Sequence, residues 1–370
     1  MLERIRVRSP LCLLIFIMTA SGLASSQQQG THLVILVHGL AGNEKELGYL
    51  QESMERQAPQ HLPVVFHSAK CNLKRTTDGI GKGGQRLVQE VEEQIRAIDD
   101  SVVLLSFVGN SLGGLYARYA IAHLDLTGKA KPFVFCTTMT PHLGVSKETY
   151  VSLPGFMESL VADVLGASGR DMFDRTTLLH EMGTSPQYLI PLKSFQKRIA
   201  VANAFGTDFQ VSVTTAAFLS KNSNYLHKRL PNKGAYALSV ETEPTQVHAG
   251  TQDDVSHCLD ALGWTKIFVD VRNEIPLPSL PRLFAKEATV PDKEIWTSQE
   301  LKTVMSRKGK TWKLPLGHMV ACANSKDNFN SWFNSNGRPM MDQLASDMLD
   351  LMQQPNINPQ ECKTVELTMD

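Results

Sequence analysis

Residues 101–120, SVVLLSFVGNSLGGLYARYA, read as a strand, a sharp turn and a helix in immediate succession. Val102 to Val108 is an apolar run, interrupted only by Ser106, of the kind that fills a buried strand. The turn Gly109-Asn110-Ser111-Leu112-Gly113 follows it. The apolar spacing then changes to that of a helix, with Leu112, Leu115, Tyr116 and Tyr119 on one face. A single hydroxyl, that of Ser111, stands at the turn. Glycines two residues to either side have a steric reason. A side chain held on a strained turn brings those neighbours into contact, and a Cβ there would clash. The start of the helix offers unpaired backbone N–H groups and the positive end of the helix dipole, both suited to an oxyanion.

Other stretches extend this pattern on both sides. His32 to Val37, HLVILV, predicts a buried parallel strand that ends in the glycine-bearing loop His38-Gly39-Leu40-Ala41-Gly42-Asn43. Such a loop aims amides into the crevice at the carboxyl ends of the strands, and Leu40 N–H is the simplest second oxyanion donor beside Leu112 N–H. His38 reads as a brace for this loop. Glu44 to Arg56 has helical composition, and Pro63 to His67 reads as a short strand. Leu87, Val91, Ile95 and Ile98 stripe a helix. Gly79 to Gly84 lacks the spacing and the closing Lys-Ser/Thr of a phosphate loop. Pro132 to Thr138 is a further buried strand, and His142 lies in the loop after it. Arg198 to Phe205 returns to strand, and Asp208 sits in the turn that follows. Trp264 to Val271 alternates like a strand. Met341, Leu344, Met348, Leu351 and Met352 mark the apolar face of a closing helix, and His318 precedes it. The order Ser111, Asp208, His318 is that of nucleophile, acid and base in α/β-hydrolases, with Asp208 orienting the imidazole. His142 and His257 compete for the base, and Asp253 and Asp254 for the acid.

The chain has 370 residues, 42% hydrophobic, with 37 basic and 37 acidic side chains. A net charge near zero and the lack of a basic stripe give no indication of nucleic acid as a partner. His248, Asp253, Asp254, His257 and Cys258 match no common metal spacing. Cys12, Cys71, Cys136, Cys258, Cys322 and Cys362 include no CxxC, and no Asn-x-Ser/Thr sequon occurs. Arg4, Arg6 and Arg8, then the apolar run Leu11 to Met18 and small residues to Ser25, predict a signal peptide over 1–25 and entry into the secretory pathway. A transit peptide or a cytoplasmic location is the alternative. Residues 30–355 read as one domain. Within it lie a helical cap at about 145–193, rich in Met, Phe and Leu, and a variable insertion at about 219–310, of which 286–310 is charged and peripheral. Residues 356–370 form a tail.

Several segments in order carry a family resemblance: HLVILVHGLAGN at 32, TTDGIGKGGQRLVQEV at 76, SFVGNSLGGLYARYAI at 106, TMTPHLGV at 138, GASGRDMF at 166 and QKRIAVANAFGTDFQVSVTTAAF at 196. With them the chain resembles the serine esterase, or lipase-like, family of eukaryotic α/β-hydrolases. The resemblance covers about residues 32–218, with a weaker match around His318. It implies an α/β-hydrolase fold: a mostly parallel central sheet, helices on both faces and a helical cap. It also implies a Ser111–Asp208–His318 triad acting on lipid or other carboxylic esters, with no cofactor or metal, and peripheral contact with a lipid surface. Thioester hydrolysis, acyl transfer to an alcohol and a non-catalytic binding role are the alternatives. One position departs from the family, which usually carries His where this chain has Asn110.

Overall fold

The computed structural model describes residues 30–99, 102–126, 128–145, 161–173, 176–221, 223–245 and 255–354. The segment 1–25, the tail 356–370, cap residues 146–160, and Cys12, His248, Asp253, Asp254 and Cys362 lie outside the described residues.

Strands β1 (Thr31–Val37), β2 (Val64–Ser68), β3 (Val103–Asn110), β4 (Ala130–Thr138), β5 (Lys197–Asn203) and β8 (Thr265–Val269) form the parallel part of a nine-stranded sheet. Its order is β2-β1-β3-β4-β5-β8. Beyond β8 the sheet continues antiparallel through β7 (Leu238–Thr242), β6 (Leu226–Arg229) and β10 (Ile295–Thr297). Two-residue strands β9 (Leu280–Pro281) and β11 (Thr311–Trp312) pair separately.

The central strands are buried along their whole length, which follows from helices covering both faces of a parallel sheet. Alternation along β1 sends Leu33, Ile35 and Val37 to one face and Val34 and Leu36 to the other. The first face packs under helices α2 (Ile80–Ala97), α3 (Leu112–Ile121) and α6 (Pro186–Lys193), with Leu87, Val91, Leu115 and Leu189 in the core. The second packs under α1 (Gly48–Gln57) and α12 (Arg338–Gln353), through Leu50, Met54, Leu344 and Met348. Each such side chain contributes about 1.5–3 kcal/mol on burial. The glycine run 79–84 opens α2. A Cβ at Gly83 would stand 2.2 Å from the Tyr116 ring and one at Gly84 2.3 Å from the Tyr119 ring, so these glycines let α2 and α3 approach closely.

The remaining helices are α4 (Gly166–Met172), α5 (Leu178–Thr184), α7 (Val213–Ala216), α8 (Val255–Asp260), α9 (Ser298–Met305), α10 (Gly317–Ala321) and α11 (Asn328–Phe333). Residues 219–310 contribute β6, β7, β8 and β10 to the main sheet. The charged stretch 286–310 carries β10 and α9, and a third core cluster forms there around Trp296, Leu301, Phe268 and Val240. A capping box between Thr297 and Glu300 starts α9. The parallel sheet with helices on both faces and an antiparallel extension is an α/β-hydrolase fold.

Candidate active site

Ser111 follows the last residue of β3 and stands immediately before the first residue of α3, with φ 52° and ψ −124°. A non-glycine residue at positive φ is strained, and the surroundings must hold it there. They do so by contact. A Cβ at Gly109 would lie 2.5 Å from Gly114 Cα, and one at Gly113 would lie 2.2 Å from the Val37 carbonyl oxygen. The Ser111 amide donates to the Thr138 carbonyl at 2.8 Å, and Thr140 Oγ1 donates to the Ser111 carbonyl at 2.9 Å. The turn is thereby pinned to β1 and to the loop after β4.

Asp208 follows β5 and His318 lies on α10, 110 residues apart in sequence, yet His318 Nδ1 and Asp208 Oδ2 are 2.7 Å apart. Both side chains are buried. Asp208 Oδ1 accepts from the amides of Gln210 (2.8 Å) and Val211 (2.9 Å), and Oδ2 also accepts from Asn203 Nδ2 (3.1 Å). The two loops are joined by main chain as well. Asp208 bridges Leu316, the Gly317 amide donates to the Thr207 carbonyl at 2.8 Å, and the Phe209 amide donates to the Pro315 carbonyl at 3.0 Å. A Cβ at Gly317 would stand 2.7 Å from the Thr207 carbonyl, so a larger residue would push the His318 loop off the Asp208 loop. Burial opposes the charged imidazole, but the Asp208 carboxylate, by charge and by hydrogen bond, and Glu46 outweigh it and raise the His318 pKa.

Ser111 and His318 share the wall of a cavity of about 740 Å³. Val145, Val161, Leu165, Met172 and Phe173 supply one apolar side, and Phe209, Val211 and Met319 another. Its size is that of a typical small-molecule site. Leu40 lines the cavity too. The amides on either side of Leu40 are held, Gly39 N by Glu46 Oε1 (2.8 Å) and Ala41 N by Thr76 Oγ1 (3.0 Å). Leu112 opens α3, where an amide has no acceptor within its own helix.

The competing histidines lie elsewhere. His142 is fully buried, with Nε2 3.0 Å from Thr137 Oγ1 and Nδ1 3.2 Å from Arg118. Burial, then the charges of Arg118 and Lys266, push its pKa well down. His257 packs against Tyr225 on α8. His38 is buried with Nδ1 on the Gly39 carbonyl at 3.0 Å. Asn110 uses both ends of its amide. Nδ2 donates to Glu46 Oε1 (2.7 Å) and Oδ1 accepts from Thr138 Oγ1 (2.8 Å). Glu46, buried beside Ser111, was not among the expected site residues. Among the described residues no group of three or more His, Cys, Asp and Glu side chains could hold a metal, and Cys71, Cys136 and Cys322 carry free thiols.

The chain is 29% identical over 222 residues to "Putative lipase ROG1" and 30% identical over 193 residues to "Putative lipase YDL109C", both of Saccharomyces cerevisiae. These matches cover 56% and 48% of this chain but 31% and 28% of the relatives, so the chain spans less than a third of their length. Similar solved structures include the mature Bacillus licheniformis lipase BlEst2 (TM-score 0.32, 19% identity, 46% of this chain and 65% of that one). Another is the peroxisomal α/β-hydrolase Lpx1 of Saccharomyces cerevisiae (TM-score 0.34, 11% identity, 52% of this chain and 67% of that one). The family model described as "Putative serine esterase (DUF676)" matches residues 27–221, more than half of the chain, which therefore belongs to that family.

Proposed function

We propose that the protein hydrolyses carboxylic esters of apolar acyl groups through an acyl-enzyme on Ser111. The observation that carries this reading is the buried Asp208–His318 pair on an apolar cavity whose wall also includes Ser111. Ser111 Oγ attacks the ester carbonyl carbon as His318 Nε2 takes its proton. Asp208 holds Nδ1–H and stabilises the imidazolium. Leu40 and Leu112 N–H groups receive the oxyanion of the tetrahedral intermediate. Collapse breaks the C–O bond, and the departing alcohol takes the proton from His318. Water then gives a proton to His318 as its oxygen attacks the acyl carbon. Release of the acid returns that proton to Ser111.

Lipid esters are the proposed substrate class, because the cavity wall is mostly apolar and the curated relatives are named as lipases. Entry into the secretory pathway through residues 1–25 and contact with a lipid surface are proposals of the same standing. The test is labelling with a fluorophosphonate followed by mapping of the modified residue. The label is expected on Ser111 and absent in Ser111→Ala. A label elsewhere, or a Ser111→Ala protein that keeps most of its esterase activity, overturns the reading. Product analysis with an added alcohol separates hydrolysis from acyl transfer, and parallel oxyester and thioester substrates separate the thioesterase alternative.

A further inference from the structure

A second carboxylate lies against this site, and the mechanism above does not use it. Glu46 is 3% exposed and lines the same cavity as Ser111 and His318. Its Oε1 accepts two hydrogen bonds that come from different loops. One is from the Gly39 amide at 2.8 Å, in the loop that carries Leu40. The other is from Asn110 Nδ2 at 2.7 Å, the residue before Ser111. Charge-assisted bonds of this kind are about twice as strong as neutral ones. The packing is built around the carboxylate. A Cβ on Gly42 would lie 2.1 Å from Glu46 Oε2, and a Cβ on Gly39 would lie 2.9 Å from Ser111 Cβ and 3.4 Å from Glu46 Oε1. Both glycines of the loop are therefore required by this arrangement, one to admit Oε2 and one to let the loop touch the serine. A third loop joins through one main-chain and one side-chain bond. The Glu46 carbonyl accepts from the Ser325 amide at 3.3 Å, and Asn43 Nδ2 donates to the Lys326 carbonyl at 3.2 Å, in the segment that follows the His318 helix.

We propose that Glu46 is a positioning residue, a carboxylate clamp that fixes the loop bearing the Leu40 amide onto the nucleophile turn and so sets where the oxyanion donor stands relative to Ser111. The proposal rests on the triad reading given above. The clamp acts through the Leu40 loop and takes no proton. Asn110 completes it, because its amide donates to Glu46 at one end and is held by Thr138 at the other. The charge of Glu46 also reaches the base. The charged or titratable groups around His318 are Asp208 from the loop after β5, Glu46 from the loop before α1, Cys322 just after its own helix and Lys326 on the cavity wall. Both carboxylates favour the imidazolium.

The test compares Glu46→Ala and Glu46→Gln as full-length proteins on one soluble ester, with thermal melts alongside. Glu46→Ala frees the loop, and kcat is expected to fall about 10²–10³-fold, the usual loss when an oxyanion donor is misplaced, with KM changed little. Fluorophosphonate still maps to Ser111 in this variant, but reacts more slowly. Glu46→Gln keeps a carbonyl oxygen able to accept both bonds, so it recovers most of kcat. It lacks the charge, so the acid limb of its kcat/KM profile moves to lower pH, a change that a structural prop alone would not produce. A folded Glu46→Ala protein with kcat within a few-fold of wild type overturns the proposal. If Glu46→Ala does not fold, Asn110→Ala, which removes one of the two clamp bonds, decides: a kcat within a few-fold of wild type overturns the proposal. Failure of the triad reading shows separately, as a wild-type label on a residue other than Ser111.

Discussion

Asp208–His318 and Asp260–His227 are both buried acid–imidazole neighbours in the same domain, and their chemistry differs because of what stands third. Beside Asp260 and His227 stands Lys266, with Nζ 2.6 Å from Asp260 Oδ1 and 2.9 Å from His227 Nε2, all three side chains fully buried. Ser223 Oγ donates to Asp260 Oδ2 at 2.8 Å, and the ammonium lies 3.9 Å from the centre of the Phe218 ring. Burial opposes ionisation of Asp260, but the charge of Lys266 above all, with His227 nearby, keeps its pKa lowered. Burial, then Lys266, lowers that of His227. The aspartate already has its counter-ion, and the imidazole stays neutral. No lysine stands in this way beside Asp208 among the described residues, so His318 itself answers the carboxylate and its affinity for a proton rises. It also faces a cavity with a serine in the wall. A buried His–Asp pair thus becomes a candidate base when the histidine is the cation the aspartate requires, and a packing unit when a lysine supplies it.

The largest expected effect separates the two aspartates. Asp208→Asn should lower kcat by about 10⁴-fold through loss of the correct tautomer, with a melt near wild type. Asp260→Asn should keep its kcat per folded molecule. Loss of activity in a well-folded Asp260→Asn protein would break the comparison. Next comes stability. Lys266→Met leaves Asp260 buried without its cation and should cost about 3–5 kcal/mol in urea unfolding, whereas Lys266→Met with Asp260→Leu should recover most of that. A single variant as stable as wild type would show that Asp260 is not charged.

A smaller effect is read in pH. The base must be neutral to act, so a raised His318 pKa places the acid limb of kcat/KM above the ordinary imidazole value of about 6.5, with activity lost as pH falls through it. His142 and His227, both held neutral, should add no limb in that range. The smallest effect belongs to His257, whose ring meets only Tyr225 among described aromatic groups. His257→Ala should leave kcat near wild type and stability within about 0.5 kcal/mol.

These regions also differed in how far the sequence revealed them. The strands β1, β3, β4 and β5 are apolar runs buried on both faces, so composition and burial agree. Asp208 and His318 were placed by chain order and loop position, and their loops meet through Gly317, whose missing side chain is what the contact needs. Strand β6 escaped notice because the alternation there is inverted, whereas LSVET of β7 alternates normally, with Leu238 and Val240 buried, and lay unread in a polar stretch. In LHKR at 226–229, Leu226 faces out and His227 is buried, and Lys266 on β8 is buried beside it. Polar groups paired with one another fill an interior that a hydropathy pattern would give to apolar ones. Within 286–310, charged neighbours mask Trp296 and Leu301, which are buried under a short edge strand and its helix. Glu46 left only an indirect signal, the two glycines of the 38–43 loop.

The main-chain links between the Asp208 and His318 loops bear on how the protein matures. Asp208 and His318 are stapled together beside β5, whereas Ser111 and the Leu40 loop are built on β1, β3 and β4. On the proposed triad, Ser111 is reactive only when both sets of loops are in place, so fluorophosphonate labelling during refolding is expected to lag the return of secondary structure.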